Sequence, residues 1–136
     1  MSSAAAESGT VASAKTRVLI VDDDPSVRNF LQMLLEVEGY EVFSAMDGND
    51  ALAVQREHPA AVVVMDIFMP HAEGIETIVK LREEFPQAGI IVMSGGGARS
   101  GVDYLAVARE LGAARTLKKP FGPQELIDAV LEVRSL

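Results

Sequence analysis

Five times between Val18 and Leu131 a short apolar run gives way to a stretch of helical period, and this alternation leaves the chain few folds to adopt. The runs fall at residues 18–21, 41–45, 61–65, 90–93 and 114–117. Most of them show no polar alternation, as expected of strands covered on both faces. The intervening stretches offer apolar helical faces: Val27, Phe30, Leu31, Leu34 and Leu35; Ala51, Leu52 and Val54; Ile75, Ile78 and Val79; Tyr104, Leu105, Ala108 and Leu111; Leu126, Ile127, Val130 and Leu131. Strict strand–helix alternation predicts an α/β fold with a doubly wound, five-stranded parallel sheet, right-handed crossovers and helices on both faces.

The punctuation agrees with that reading. Asp24 before Pro25 is a helix start, with the acid as N-cap and proline in the first turn. Gly39 and Gly112 stop helices, Asp47-Gly48 turns the chain, and the third helix should fade near Phe85-Pro86. Pro123 opens the last helix. A length of 136 residues suits one domain, and 49% apolar with 24% charged residues is enough for one core. Residues 1–15, rich in Ala and Ser and without a long apolar core, are expected to be a disordered tail and not a signal peptide, leaving 16–136 as the domain.

Composition removes several functions. The chain has no cysteine, which excludes disulfides, thiolate metal sites and thiol nucleophiles. A net charge of −8 with only twelve basic residues disfavours nucleic acid and anionic membranes as partners. No apolar run reaches membrane-spanning length, and a cytoplasmic location is expected.

In parallel sheets of this kind, ligands bind at the carboxyl ends of the strands. There the sequence places Asp22-Asp23-Asp24 after the first strand, Asp66 after the third, Ser94 after the fourth and Lys119 after the fifth. Several carboxylates in one cleft repel one another and call for a cation. Oxygen ligands in this number suit magnesium, which takes one or two carboxylates plus water and a phosphate oxygen; calcium usually wants more protein oxygens. A metal beside a carboxylate, a hydroxyl and a lysine points to phosphoryl transfer, with the carboxylate as nucleophile.

The stretches VLIVDDDP (18–25), VVVMDIFMPHAEG (62–74), IIVMSGGG (90–97) and LKKPFGPQEL (117–126) together resemble the receiver domains of bacterial two-component response regulators, over residues 17–136. The resemblance implies a flavodoxin-like strand order of 2-1-3-4-5. It makes Asp66 the phosphoacceptor, and Asp22 and Asp23 the acidic pair, Asp23 binding Mg2+ directly and Asp22 through water. It adds Asp66 and the backbone carbonyl of Phe68 as metal ligands, Ser94 as the switch hydroxyl and Lys119 as partner of the phosphoryl group. The Lys119–Pro120 peptide should be cis. The implied phosphodonor is a histidine kinase or histidine phosphotransfer protein. The output is contact with a downstream protein, by a monomer or a phosphorylation-dependent dimer. No output stretch is recognised after the fifth helix, so the expectation is a stand-alone receiver. It would be no enzyme beyond catalysing its own phosphorylation and dephosphorylation.

The sequence also departs from the family pattern. Thr116 stands where many receivers carry an aromatic switch residue, so output should concentrate in residues 95–105, whose first part is glycine-rich. Phe68 brings no polar group to orient water, which predicts slow self-dephosphorylation. Gly95-Gly96-Gly97 lacks the lysine and hydroxyl of a P-loop and reads as a hinge. Lys118 reads as a solvated neighbour, Asp24 as a cap, and His58 and His71 as surface residues. Two alternatives stand beside the receiver. One is a degenerate receiver that only binds protein. The other is a haloacid-dehalogenase-type phosphatase, suggested by Asp22-x-Asp24 but lacking the later acidic motif.

Overall fold

The structure is a computed structural model that describes residues 15–67, 73–94 and 104–136. Strands β1 (Arg17–Val21), β2 (Glu41–Ala45), β3 (Val62–Asp66), β4 (Gly89–Ser94) and β5 (Arg115–Lys118) alternate with helices α1 (Pro25–Val37), α2 (Gly48–Glu57), α3 (Glu73–Glu84), α4 (Tyr104–Glu110) and α5 (Pro123–Arg134). The sheet is parallel, in the expected order β2-β1-β3-β4-β5.

Two apolar layers hold the helices to the sheet. Val18 and Ile20 of β1, Val62 and Val64 of β3, and Ile91 and Met93 of β4 face one layer, built with Leu31 and Leu35 of α1 and Leu126, Ala129, Val130 and Val133 of α5. Leu19, Val21, Val63, Met65, Ile90 and Val92 face the other, with Ala51 and Leu52 of α2, Ile78 and Leu81 of α3, and Ala108 of α4. The period of two along each strand assigns the layers. Central strands buried on both faces explain why their sequences read as unbroken apolar runs.

The helix ends follow local chemistry. The Asp24 side chain accepts the Ser26 N–H at 2.9 Å, capping α1. Asp47 and Gly48 do more than turn the chain: Asp47 accepts the Asp50 N–H at 2.8 Å and caps α2, and Gly48 is that helix's first residue. Gly39 and Gly112 have φ of 97° and 111°, in the left-handed region where a Cβ is unfavourable.

Three residues assigned to buried faces lie outside them. Phe30 and Leu131 are 53% and 47% exposed, and Val79 is also exposed. Each residue advances an α-helix by about 100°. Phe30 is therefore turned well away from Leu31, and Leu131 away from Val130, out of stripes centred on Leu31–Leu35 and on Leu126, Ala129, Val130 and Val133. His58, read as a surface residue, is half-buried and stacked on Phe43, with ring centroids 4.4 Å apart.

Candidate functional site

The strand register brings the predicted residues to one edge. Val21 pairs with Met65, so Asp22 and Asp66 follow side by side on adjacent strands. Asp66 pairs with Met93, one residue before Ser94, and Ser94 pairs with Lys118. One further bond, from the Lys119 N–H to the Ser94 carbonyl at 2.7 Å, carries the pairing past the end of β5. Asp22, Asp66 and Lys119 continue the parity of Ile20, Val64 and Leu117, whose side chains face the α1/α5 layer. The Lys119–Pro120 peptide is cis, as the resemblance implied.

Lys119 Nζ donates to Asp66 Oδ2 at 3.0 Å and lies 3.8 Å from Asp22 Oδ2. Asp22 and Asp66 are 1% and 8% exposed, whereas Asp23 and Asp24 are exposed. Ser94 is buried at the end of β4, Lys118 is exposed, and Thr116 is half-buried on β5 opposite Val92. Phe68, His71 and the glycine-rich segment fall outside the described residues, so their expected roles lie there too.

Asp22 is held closely. Its N–H donates to the Ala45 carbonyl at 3.2 Å, and its Oδ1 accepts the Asp24 N–H at 2.9 Å. Its carbonyl accepts from Arg28 Nη1 at 2.6 Å, a bond the sequence reading did not foresee. Oδ2 is buried and has no hydrogen-bond partner. Burial pushes the Asp22 carboxyl above its ordinary pKa, and the charges of Asp66 and Asp23 push the same way. The Asp24 N–H and Lys119 oppose the shift without cancelling it.

Among the described residues no group of three or more acidic or imidazole side chains is placed to hold a metal by itself. Magnesium needs fewer, since one or two carboxylates suffice when water and phosphate complete the shell. A buried carboxylate oxygen without a partner, beside a second buried carboxylate, fits such a cation.

This geometry sets a sign for stability. A raised folded-state pKa makes Asp22 favour the fold when protonated, and that contribution is lost as pH rises through the folded value. Metal-free Asp22→Asn should therefore melt above metal-free wild type at neutral pH. The gap should open as pH rises from below the ordinary carboxyl value of 3.8 to above the raised one. Thermal melts in chelator across that range check this; a gap that narrows with rising pH would refute it.

The chain belongs to the response regulator receiver domain family, whose profile matches residues 18–131. It is 40% identical over 113 residues to "Probable transcriptional regulator ycf27" of Porphyridium aerugineum, covering 82% of this chain and 45% of that protein. It is 38% identical over 109 residues to the aerobic respiration control protein ArcA of Escherichia coli, covering 80% and 44%. The chain thus spans less than half the length of these curated relatives. Among solved structures, a CheY-like receiver domain protein from Methanospirillum hungatei superposes with a TM-score of 0.82 at 28% identity, over 90% of this chain and 95% of that one. The response regulator TrrA of Thermotoga maritima, in complex with Mg2+ and BeF, gives a TM-score of 0.74 at 30% identity, over 87% and 98%. Family membership replaces the phosphatase alternative, and Asp24, the second acid of its motif, is committed to the α1 cap. Among the described residues, no helix is long and apolar enough to cross a membrane.

Proposed function

We propose that Asp66 accepts a phosphoryl group from a phosphohistidine on a kinase or phosphotransfer protein, with Asp22, Asp23 and Asp66 holding the magnesium ion the reaction requires. The observation that carries this reading is Lys119 set between two buried carboxylates, 3.0 Å from one and 3.8 Å from the other, with one carboxylate oxygen left without a hydrogen bond. A carboxylate oxygen of Asp66 attacks phosphorus, a P–O bond forms, the P–N bond of the donor breaks, and its electron pair returns to the imidazole. Lys119 Nζ, already at Asp66, pairs with the phosphoryl oxygens, and Ser94 donates to them once transfer is complete. Bound magnesium supplies positive charge against the same oxygens. The Phe68 carbonyl, carried over from the family pattern, completes the proposed ligand set.

The activity proposed belongs to the receiver itself, in the cytoplasm, acting without turnover of an external substrate. The ycf27 relative is named a probable transcriptional regulator and ArcA an aerobic respiration control protein, and each is more than twice the matched length. For this chain, a net charge of −8 supports protein partners over nucleic acid. With acetyl phosphate and magnesium, intact mass should rise by one phosphoryl group. It should stay unchanged in chelator or in Asp66→Asn. No gain in wild type would favour a receiver that binds protein without phosphorylation; equal labelling of Asp66→Asn would place the acceptor elsewhere.

A further inference from the structure

Asp22 carries four polar atoms, and three are tied down. The backbone N–H is bonded to Ala45, Oδ1 to the Asp24 N–H, and the carbonyl to Arg28, leaving Oδ2 as the only one without a hydrogen bond. Two of these ties are backbone groups that the strand end and the turn supply in any case. The third is a side chain. Arg28 sits in the second turn of α1, and its half-buried guanidinium reaches back over the helix start to the end of β1.

Asp22 and Asp23 offer carboxylates, yet Nη1 is bonded to a neutral carbonyl, at the short distance of a charge-assisted bond. The effect is on the peptide between the two acids. That unit is planar and trans, so fixing the Asp22 carbonyl toward Arg28 turns the Asp23 N–H to the opposite side. It also sets the direction in which both acidic side chains leave the backbone. A turn without this tie would have to be ordered when a cation binds, at a cost in affinity.

We infer that Arg28 is a positioning residue for the magnesium site, acting through the Asp22 carbonyl. The inference rests on the proposed site at Asp22, Asp23 and Asp66. It differs from a general charge effect, in which any cation at position 28 would do, because it depends on a guanidinium long enough and planar enough to reach that one oxygen.

The test compares wild type, Arg28→Met and Arg28→Lys. Phosphate acceptance from acetyl phosphate is followed by intact mass across a magnesium titration, and metal binding by thermal shift without phosphodonor. Arg28→Met keeps an apolar stem and removes the donor. Its half-saturating magnesium concentration should rise by about tenfold or more, in line with losses of groups that orient metal ligands. Its maximal rate at saturating magnesium should stay near wild type. Arg28→Lys should fall between the two. A folded Arg28→Met with wild-type half-saturation, or one whose loss lies only in the maximal rate, would overturn the inference. Should the methionine variant fail to fold, Arg28→Lys decides: a raised half-saturation supports the positioning role, an unchanged one refutes it. Wild type showing no response to magnesium would instead strike the underlying site and leave the Arg28–Asp22 bond a feature of the turn alone.

Discussion

Lys119→Met is expected to slow phosphate acceptance at Asp66 by about two to three orders of magnitude, the usual cost of losing a preorganised group that meets charge developing in the transition state. The methionine keeps a flexible stem of similar reach and removes the cation. Lys119 Nζ already stands 3.0 Å from Oδ2 of Asp66, the proposed nucleophile, which places its charge beside the site where phosphoryl oxygens would arrive. Its loss also leaves Asp22 and Asp66 facing each other without the cation between them. Repulsion would then rise in the metal-free protein, opposite in sign to the relief expected from Asp22→Asn. The measurement is the initial rate of mass gain at fixed acetyl phosphate and saturating magnesium. A rate within roughly threefold of wild type, about 0.65 kcal/mol of barrier, would show that Lys119 has no part in the transfer.

Gly74→Ala should destabilise the fold by about 3 kcal/mol, the upper end of the usual cost of overpacking. Two effects compete. Glycine in a helix is worse than alanine by about 0.8–1.0 kcal/mol, so propensity alone predicts a gain. Against it, a Cβ on Gly74 would run into the backbone of Ile67: its carbonyl oxygen, its carbonyl carbon and its Cα. Backbone cannot swing aside as the end of a flexible side chain can, so the clash should win. Ile67 directly follows Asp66 and its N–H bonds the Met93 carbonyl at 3.0 Å, so the displacement would reach the site as well as the core. Urea unfolding checks this; a midpoint equal to or above wild type would mean that α3 shifts at little cost.

Much of the candidate site was legible because parallel strands deliver their last residues to one edge, whatever packs between them. Asp22, Asp66, Ser94 and Lys119 could be gathered from four runs distant in sequence, since the alternation of elements already implied the sheet. That Asp22, and not Asp23, lies deepest was within reach of the same reading. Val18, Ile20 and Asp22 share a parity, and the first two face the core beneath α1 and α5. Arg28 gave no such signal. An arginine one residue after Val27 on an amphipathic helix reads as solvated surface, and only the closeness of α1 to the end of β1 turns it back onto the Asp22 carbonyl.

Local chemistry in the sequence determined the strand–helix alternation, the caps at Asp24 and Asp47 and the stops at Gly39 and Gly112, because each depends on residues within a turn or two of one another. Tertiary structure alone decided that Phe30 and Leu131 lie outside the buried stripes, since apolar character shows that a residue can be buried and not which neighbour covers it. It alone required glycine at 74, where α3 meets the backbone of β3's end, and it alone left one buried oxygen of Asp22 without a hydrogen bond beside Lys119. Such features arise where elements remote in sequence come within van der Waals reach, and no period or spacing along the chain encodes that distance.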